Sequence, residues 1–345
     1  MNARFFNHYP PAPGTVVEAG DVDLACLQDR RIAVIGFGTM GRAQAHNLRR
    51  SGLDILVGLR PQSRSCGRAA QEGFPVLAVG EAAAQADVVM LLVPDQSMAQ
   101  VFTAEVQPGL RPGAVLGFAH GFALAFGQIV PPADLDCFLV APKGQGDMLM
   151  AAHAQGGGVP GLLAATEGAA PSTWDLAAAY AKAVGCLHGG GFVTTFRREC
   201  VSDQFGEQAV LCGGVLELVK AAFAVMVEAG YGRENAYFEC VHELKLITDL
   251  LHRHGIDGLR DRISGTAAYG GLTRGPRLID DRVRRTMREI LAEIESGAFA
   301  AEFLARHGDP TAGTEALAQA ESRDLLAAAG REFLGRLYPE PPGDS

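Results

Sequence analysis

Residues 31–52, "RIAVIGFGTMGRAQAHNLRRSG", constrain the fold more than any other stretch of the chain. A short apolar run ending at Ile35 leads into Gly36, Gly38 and Gly41, spaced as GxGxxG, and a helical pattern follows and closes on Gly52. Strand, glycine turn and helix in that order make the context a dinucleotide-binding loop requires. Gly36 permits the tight turn, Gly38 lets the backbone approach a pyrophosphate, and Gly41 lets helix and strand pack closely. The helix start then offers unpaired N–H groups and a positive dipole end to the phosphates. Phe37, Thr39 and Met40 belong to the same loop. A glycine-rich turn with no ligand is the competing reading; the flanking strand, the helix and the next loop argue against it.

The end of the second strand selects the cofactor. A site for NAD usually carries Asp or Glu there, to hold the ribose 2′-hydroxyl. This chain has "VGLRPQSRSCGR" and no acid. Arg60, Ser63, Arg64 and Ser65 instead offer donors to a 2′-phosphate, which favours NADPH.

Beyond this unit, strand-like and helix-like segments alternate through "LDILVGLR", "GRAAQEG", "AAAQADVVMLLVPD", "GAVLGFAHG" and "DCFLVAPKG". Alternation at this spacing predicts a parallel sheet with helices on both faces. From about Thr194 the pattern turns helical almost throughout. The expected fold class is therefore an α/β Rossmann domain followed by an all-helical domain. The expected boundaries are 1–193 for the nucleotide domain, 194–330 for the helical domain and 331–345 for a tail, whose end "LYPEPPGDS" is expected to be disordered.

Composition removes several function classes. A net charge of −9 is poor for a nucleic-acid binder, which needs a basic face. The seven cysteines include no CxxC, so reduced, buried thiols of a cytoplasmic protein are expected rather than a disulfide or zinc scaffold. The N-terminal "MNARFFNHYPPAPG" lacks the apolar core of a signal peptide. The longest apolar stretch, 209–229, is interrupted by Glu217, Lys220 and Glu228, and reads as a buried helix rather than a membrane span. A small-molecule enzyme is the class that remains.

Two acidic pairs then stand out. "SDQFGEQAVLCGG" places Asp203 and Glu207 four apart, and "FECVHELK" does the same with Glu239 and Glu243. Like charges at this spacing repel by about 0.2–0.5 kcal/mol in an isolated helix. Both pairs have apolar neighbours, among which a bare carboxylate is expensive. Carboxylates on a rigid frame suit a hard divalent cation such as Mg²⁺ or Mn²⁺. The plain alternative is two solvated helix faces, with Lys245 neutralising part of the second pair. Spacing alone leaves both readings open.

Taken in order, "GFGTMGRAQAHNLRRSG", "VGLRPQSRS", "LLVPD", "FAHGF", "GQIVPP", "APKG", "DQFGEQAVLCGG", "YFECVHELK" and "ISGTAAYG" resemble ketol-acid reductoisomerase in its short, single-knot form. The likeness runs from about Phe5 to His307, and the two acidic motifs are far more specific than the glycine loop. It implies a knotted helical domain and a homodimer with shared active sites, open to higher assembly. It also implies NADPH and two Mg²⁺ ions, held by Asp203 and Glu207 of one chain and by Glu239 and Glu243 of the other. His120 and Lys143 fall at catalytic positions, Ser264 at the serine that meets the substrate carboxylate, and Asp95 and Gly146 at cofactor contacts. The implied reaction is alkyl migration in a 2-hydroxy-2-acyl acid such as 2-acetolactate, then hydride reduction to a 2,3-dihydroxy acid, as in branched-chain amino-acid biosynthesis.

The chain also departs from the family pattern. Gln145, Gly146 and Asp147 stand where Pro-Gly-His is usual, and the basic pair that follows is absent. Gly265, Ala268 and Gly271 occupy variable and acidic places of the serine motif. Three readings follow: the ordinary enzyme with tolerated drift, a paralogue acting on a different 2-keto or 2-hydroxy acid, and a non-catalytic nucleotide-binding dimer. The retained acids oppose the third, because buried carboxylates without a cation destabilise a fold.

Overall fold

The structure is a computed structural model that describes residues 5–307, 309, 311 and 313–337. The chain divides into two compact units, Met1–Ser202 and Asp203–Ser345. The division falls inside the helix Phe196–Gly206, later than the expected 193, because the first turns of that helix pack on the α/β unit.

The first unit is built on nine strands: β1 (Val16–Val17), β2 (Arg31–Ile35), β3 (Asp54–Gly58), β4 (Val76–Leu77), β5 (Val88–Leu91), β6 (Val115–Phe118), β7 (Cys137–Pro142), β8 (Gly161–Ala165) and β9 (Gly191–Val193). They form one sheet in the order β1-β9-β8-β7-β6-β5-β2-β3-β4. From β4 to β7 every pairing is parallel. In order of appearance those six strands run 3-2-1-4-5-6, the doubly wound dinucleotide-binding arrangement. The remaining edge is mixed, with β8 antiparallel to β7 and β1 antiparallel to β9. β1, β4 and β9 are too short for a periodicity to register, and β8, "GLLAA", follows a glycine-rich run that masks it. β9 lies inside "HGGGFVTTF", the segment that reads as a domain boundary.

Alternation along the strands creates two cores. Ile32 and Val34 of β2, Val88 and Met90 of β5, and Phe138 and Val140 of β7 bury on one face, against Ala43 and Leu48 of the helix Thr39–Arg50 and Tyr180 of the helix Pro171–Val184. Ala33 and Ile35, Val89 and Leu91, and Leu139 and Ala141 bury on the other, against Val79, Ala82 and Phe102. Because both faces are covered, the parallel strands read as continuous apolar runs.

Among the described residues, every regular element of the second unit is a helix. Its core is small: Phe223, Ala236, Tyr237, Ala329 and Phe333 form its one buried cluster among the described residues. Residues 331–337, assigned to a tail from sequence, continue the helix Leu325–Leu337; residues 338–345 lie outside the described set.

Two sequence expectations fail here. The apolar stretch 209–229 is buried on one side only: Val219 and Phe223 are buried, whereas Leu211 is 64% exposed and Val225 63%. It belongs to a helical run, Phe196–Glu228, that is long and apolar enough by length and composition to cross a membrane. That run carries eight charged residues, among them Glu199, Asp203, Glu207 and Lys220, a heavy burden for a hydrocarbon environment. Nor are all the thiols buried. All seven cysteines are free, as expected, but only Cys137, Cys186 and Cys200 are buried, and Cys212 is exposed.

Candidate functional site

The glycine loop sits where the strand order reverses, between β2 and β5, the usual crevice for a ligand in a doubly wound sheet. A cleft of about 420 Å³ opens there. Gly36, Phe37, Gly38, Thr39, Met40, Gly41, Arg60, Ser63 and Ser65 line it, with Val93, Pro94 and Ser97 from beyond β5. Gly36 has φ +102°, a conformation that resists a side chain. A Cβ at Gly41 would lie 2.4 Å from the Gly36 carbonyl oxygen, so no larger residue fits. At Gly38 a Cβ would meet nothing within 4 Å, so the missing side chain leaves room beside the helix start. Glycine at 41 answers to packing; glycine at 38 leaves space for a ligand.

Three expected cofactor residues, Arg64, Asp95 and Gly146, lie outside the lining. Asp95 occupies the first turn of the helix Asp95–Val101, directly after the lining residue Pro94. Gly146 opens the helix Gly146–Ala154, where a Cβ would fall 2.5 Å from the Thr39 carbonyl oxygen. Its observed part is to let that helix close on the glycine-loop helix. Beside it, Asp147 lies 3.9 Å from Arg42.

His120 and Lys143 stand just beyond the carboxyl ends of the adjacent parallel strands β6 and β7. What joins them is Glu199, in the first turn of the helix Phe196–Gly206. One Glu199 oxygen accepts from Lys143 Nζ at 2.9 Å. The other accepts from the Gly121 amide at 2.8 Å and lies 3.1 Å from His120 Nδ1. Gly121 is glycine for a steric reason, since a Cβ would lie 2.2 Å from the Phe196 carbonyl oxygen. On its other side His120 Nε2 lies 3.8 Å from the Cys200 sulfur.

The electrostatics follow from burial. The Glu199 side chain is 1% exposed. Burial by itself would raise its carboxyl, but the hydrogen bond and charge of His120, with those of Lys143, lower it below the ordinary value. Burial likewise disfavours a charged His120 ring, and the contacts with Cys200 and ionised Glu199 outweigh it and raise the ring well above the ordinary range. Burial raises the Cys200 thiol, which stays protonated at neutral pH. Glu199 escaped the sequence reading. Its local signal is the spacing of Glu199, Asp203 and Glu207 at i, i+4, i+8, which does not reveal that Glu199 meets His120.

In the helical unit both acidic pairs meet wide helical turns. Glu207 begins a π-helical segment, Glu207–Leu211, and Glu239 lies within another, Phe238–His242. Such turns occur mostly as single insertions in α-helices, often at functional sites. Glu207, Glu239 and Glu243 are exposed and Asp203 is half-buried. In the single chain, the expected desolvation is absent for the three exposed acids and partial for Asp203. Lys245 pairs with Asp249 at 2.6 Å rather than with the second acidic pair. Among the described residues, no three of the four carboxylates bring ligand atoms within 4.8 Å of one another. The donor set is all carboxylate oxygen, as hard divalent cations prefer, but one chain does not assemble it. Ser264 caps the helix Gly265–Leu278, with its Oγ accepting from the Ala267 amide at 3.2 Å. It is exposed.

Comparison with known proteins follows the same division. Residues 26–190 match the acetohydroxy acid isomeroreductase NADPH-binding domain, and residues 196–336 match the ketol-acid reductoisomerase C-terminal domain. A protein described as ketol-acid reductoisomerase (NADP(+)), from Petrotoga mobilis, is 44% identical over 313 residues, 91% of this chain and 95% of that protein. The structure of an NADH-preferring ketol-acid reductoisomerase from an uncultured archaeon superposes with a TM-score of 0.90 at 37% identity, covering 94% of this chain and all of that one. A semialdehyde dehydrogenase NAD-binding protein from Cupriavidus necator, 20% identical with a TM-score of 0.60 over 78% of this chain and 99% of that one, shares the fold.

Proposed function

The chain belongs to the ketol-acid reductoisomerase family, and from that premise we propose that Glu199, His120 and Lys143 form the proton-handling centre of its reaction. The chain is an NADP(H)-dependent ketol-acid reductoisomerase of branched-chain amino-acid biosynthesis. One turnover rearranges a 2-hydroxy-2-acyl acid and consumes one hydride and one proton, yielding the 2,3-dihydroxy acid. The observation that carries the proposal is the bridge from one buried carboxylate to both His120 and Lys143.

The residues divide the work. Arg60, Ser63 and Ser65 stand in the cleft where an adenosine 2′-phosphate would lie, which supports NADPH over NADH. Gly38 and the start of the helix Thr39–Arg50 receive the pyrophosphate. Asp203 and Glu207 would hold Mg²⁺ with Glu239 and Glu243 of the partner subunit. When bound, the two Mg²⁺ ions supply Lewis-acid charge to the substrate oxygens and NADPH supplies the hydride. Lys143 Nζ, fixed by Glu199, exchanges the proton with the substrate oxygen. His120 stays fixed on Glu199 and presents positive charge to the developing alkoxide. Ser264 and the first amides of its helix receive the substrate carboxylate.

A second subunit fits the remaining surface. Val210, Val215, Leu218, Ile279, Val283 and Ile290 line an apolar groove of about 550 Å³ within the helical unit. With the exposed Leu211, Leu216 and Val225 it forms an apolar face of the kind that takes a protein partner. A homodimer would cover it and deliver the missing carboxylates.

The test mixes the protein with Mg²⁺, NADPH and 2-acetolactate and follows nicotinamide absorbance, with 3-hydroxy-3-methyl-2-oxobutanoate in parallel. Oxidation with both substrates is expected. Oxidation with the second alone would mean that Gln145, Asp147, Ala268 and Gly271 have cost the chain its rearrangement step. NADPH oxidised by neither would overturn the proposal.

A further inference from the structure

We propose that Cys200 is a positioning residue for His120: its thiol holds the Nε2 side of the ring and so fixes the ring on Glu199. The proposal rests on the reading of His120 as an active-site group. Consecutive residues of one helix grip the two ring nitrogens. Glu199 Oε2 lies 3.1 Å from Nδ1, and Cys200 Sγ lies 3.8 Å from Nε2.

The chemistry of the partners sets the proton positions. Glu199 is ionised and only accepts, so Nδ1 carries a hydrogen. Nε2 then meets a sulfur that can donate S–H or accept N–H weakly, so the contact persists in either charge state of the ring. Each contact is modest, but two at opposite ends of a planar ring remove the χ2 flip that one contact allows. Outer-shell partners of a histidine commonly act in this way, by fixing tautomer and orientation.

The surroundings make the grip rigid. Cys200 is fully buried. A Cβ at Gly121, the residue after His120, would lie 3.1 Å from the Cys200 Cβ, so thiol and histidine loop are in close packing. No disulfide engages the sulfur. A small side chain with a polar tip is what this space admits.

The experiment compares wild type with Cys200→Ala, Cys200→Ser and His120→Gln, with Cys137→Ala as a control for loss of a buried thiol elsewhere. Three readouts are taken: kcat for 2-acetolactate against kcat for 3-hydroxy-3-methyl-2-oxobutanoate, the pH profile of kcat, and ring ¹⁵N shifts of labelled His120. The expected result is a 3- to 30-fold fall in kcat for Cys200→Ala with KM nearly constant. Its pH profile moves, its His120 nitrogen shifts move towards those of a mobile ring, and Cys200→Ser restores part of each. Cys137→Ala moves none of them. If Cys200→Ala matches wild type in pH profile and ¹⁵N shifts while His120→Gln is impaired, the positioning role is overturned and the reading of His120 stands. If His120→Gln is as active as wild type, the reading of His120 falls, and the positioning role with it.

Discussion

At the scale of single residues, Glu199 is the group on which the site turns. Its carboxylate is lowered by His120 and Lys143, so it contributes stability above its unfolded pKa, and that stability is lost as pH falls through the lower folded value. Glu199→Gln removes one partner of a buried ion-paired set and should destabilise the fold at neutral pH by about 3–5 kcal/mol. The variant should also flatten the acid limb of the stability curve; denaturant unfolding across the acid range reads both effects. An unchanged acid limb would show that Glu199 is not held ionised by its partners. The glycine loop offers a sharper contrast. Gly41→Ala forces a Cβ onto the Gly36 carbonyl oxygen and should destabilise by about 1–3 kcal/mol. At Gly38→Ala the Cβ meets nothing within 4 Å, so stability without nucleotide should fall by no more than about 1 kcal/mol, the cost of a poorer N-cap. The same variant should weaken NADPH binding at least tenfold, about 1.4 kcal/mol. Thermal melts with and without nucleotide separate the two cases.

At the scale of elements, the wide turns deliver the acids. Spacing alone predicts regular α-helices through both pairs, and the i, i+4 relation survives, but the turns differ. In "LCGG" a Cβ at Gly213 would lie 2.1 Å from the Gln208 carbonyl oxygen, and one at Gly214 would lie 2.1 Å from that of Ala209. The glycine pair therefore permits the backbone to leave the π-segment Glu207–Leu211 at close quarters. Gly213→Ala should rebuild that turn and displace Glu207. The expected outcome is a melt without metal lowered by the clash, by about 1–3 kcal/mol, and loss of most of the further thermal stabilisation that Mg²⁺ should give wild type. The strands tell a similar story. β2, β3, β5, β6 and β7 are legible because burial on both faces demands unbroken apolar runs. β1, β4, β8 and β9 are not, because two or three residues, or a glycine-rich run, carry no period.

At the scale of the whole molecule, the helical unit has apolar surface that its own core does not absorb. Leu211, Leu216, Val225, Leu272 and Leu278 are exposed, and five residues make up its one buried cluster among those described. A chain this poor in core gains stability by association. On the proposed homodimer, Val225→Asp should shift the protein to monomer in sedimentation and lower activity more than tenfold, since the partner's acidic pair would be withdrawn. Chelation of Mg²⁺ should abolish activity while leaving nucleotide binding in the cleft intact.

The sequence by itself determined the nucleotide loop, the alternation that builds the sheet, and the acids spaced for a cation. All of these are local: a turn, a period and an i, i+4 spacing are properties of neighbours along the chain. Only the tertiary structure decided that Glu199 joins His120 to Lys143, that Cys200 touches the far side of the same ring, and that the apolar run 209–229 buries Phe223 but leaves Leu211 and Val225 outward. His120 and Glu199 are 79 residues apart, and Lys143 and Glu199 are 56. Sheet order and helix packing bring them together, and no pattern confined to neighbouring residues can encode a contact that depends on which strands lie side by side.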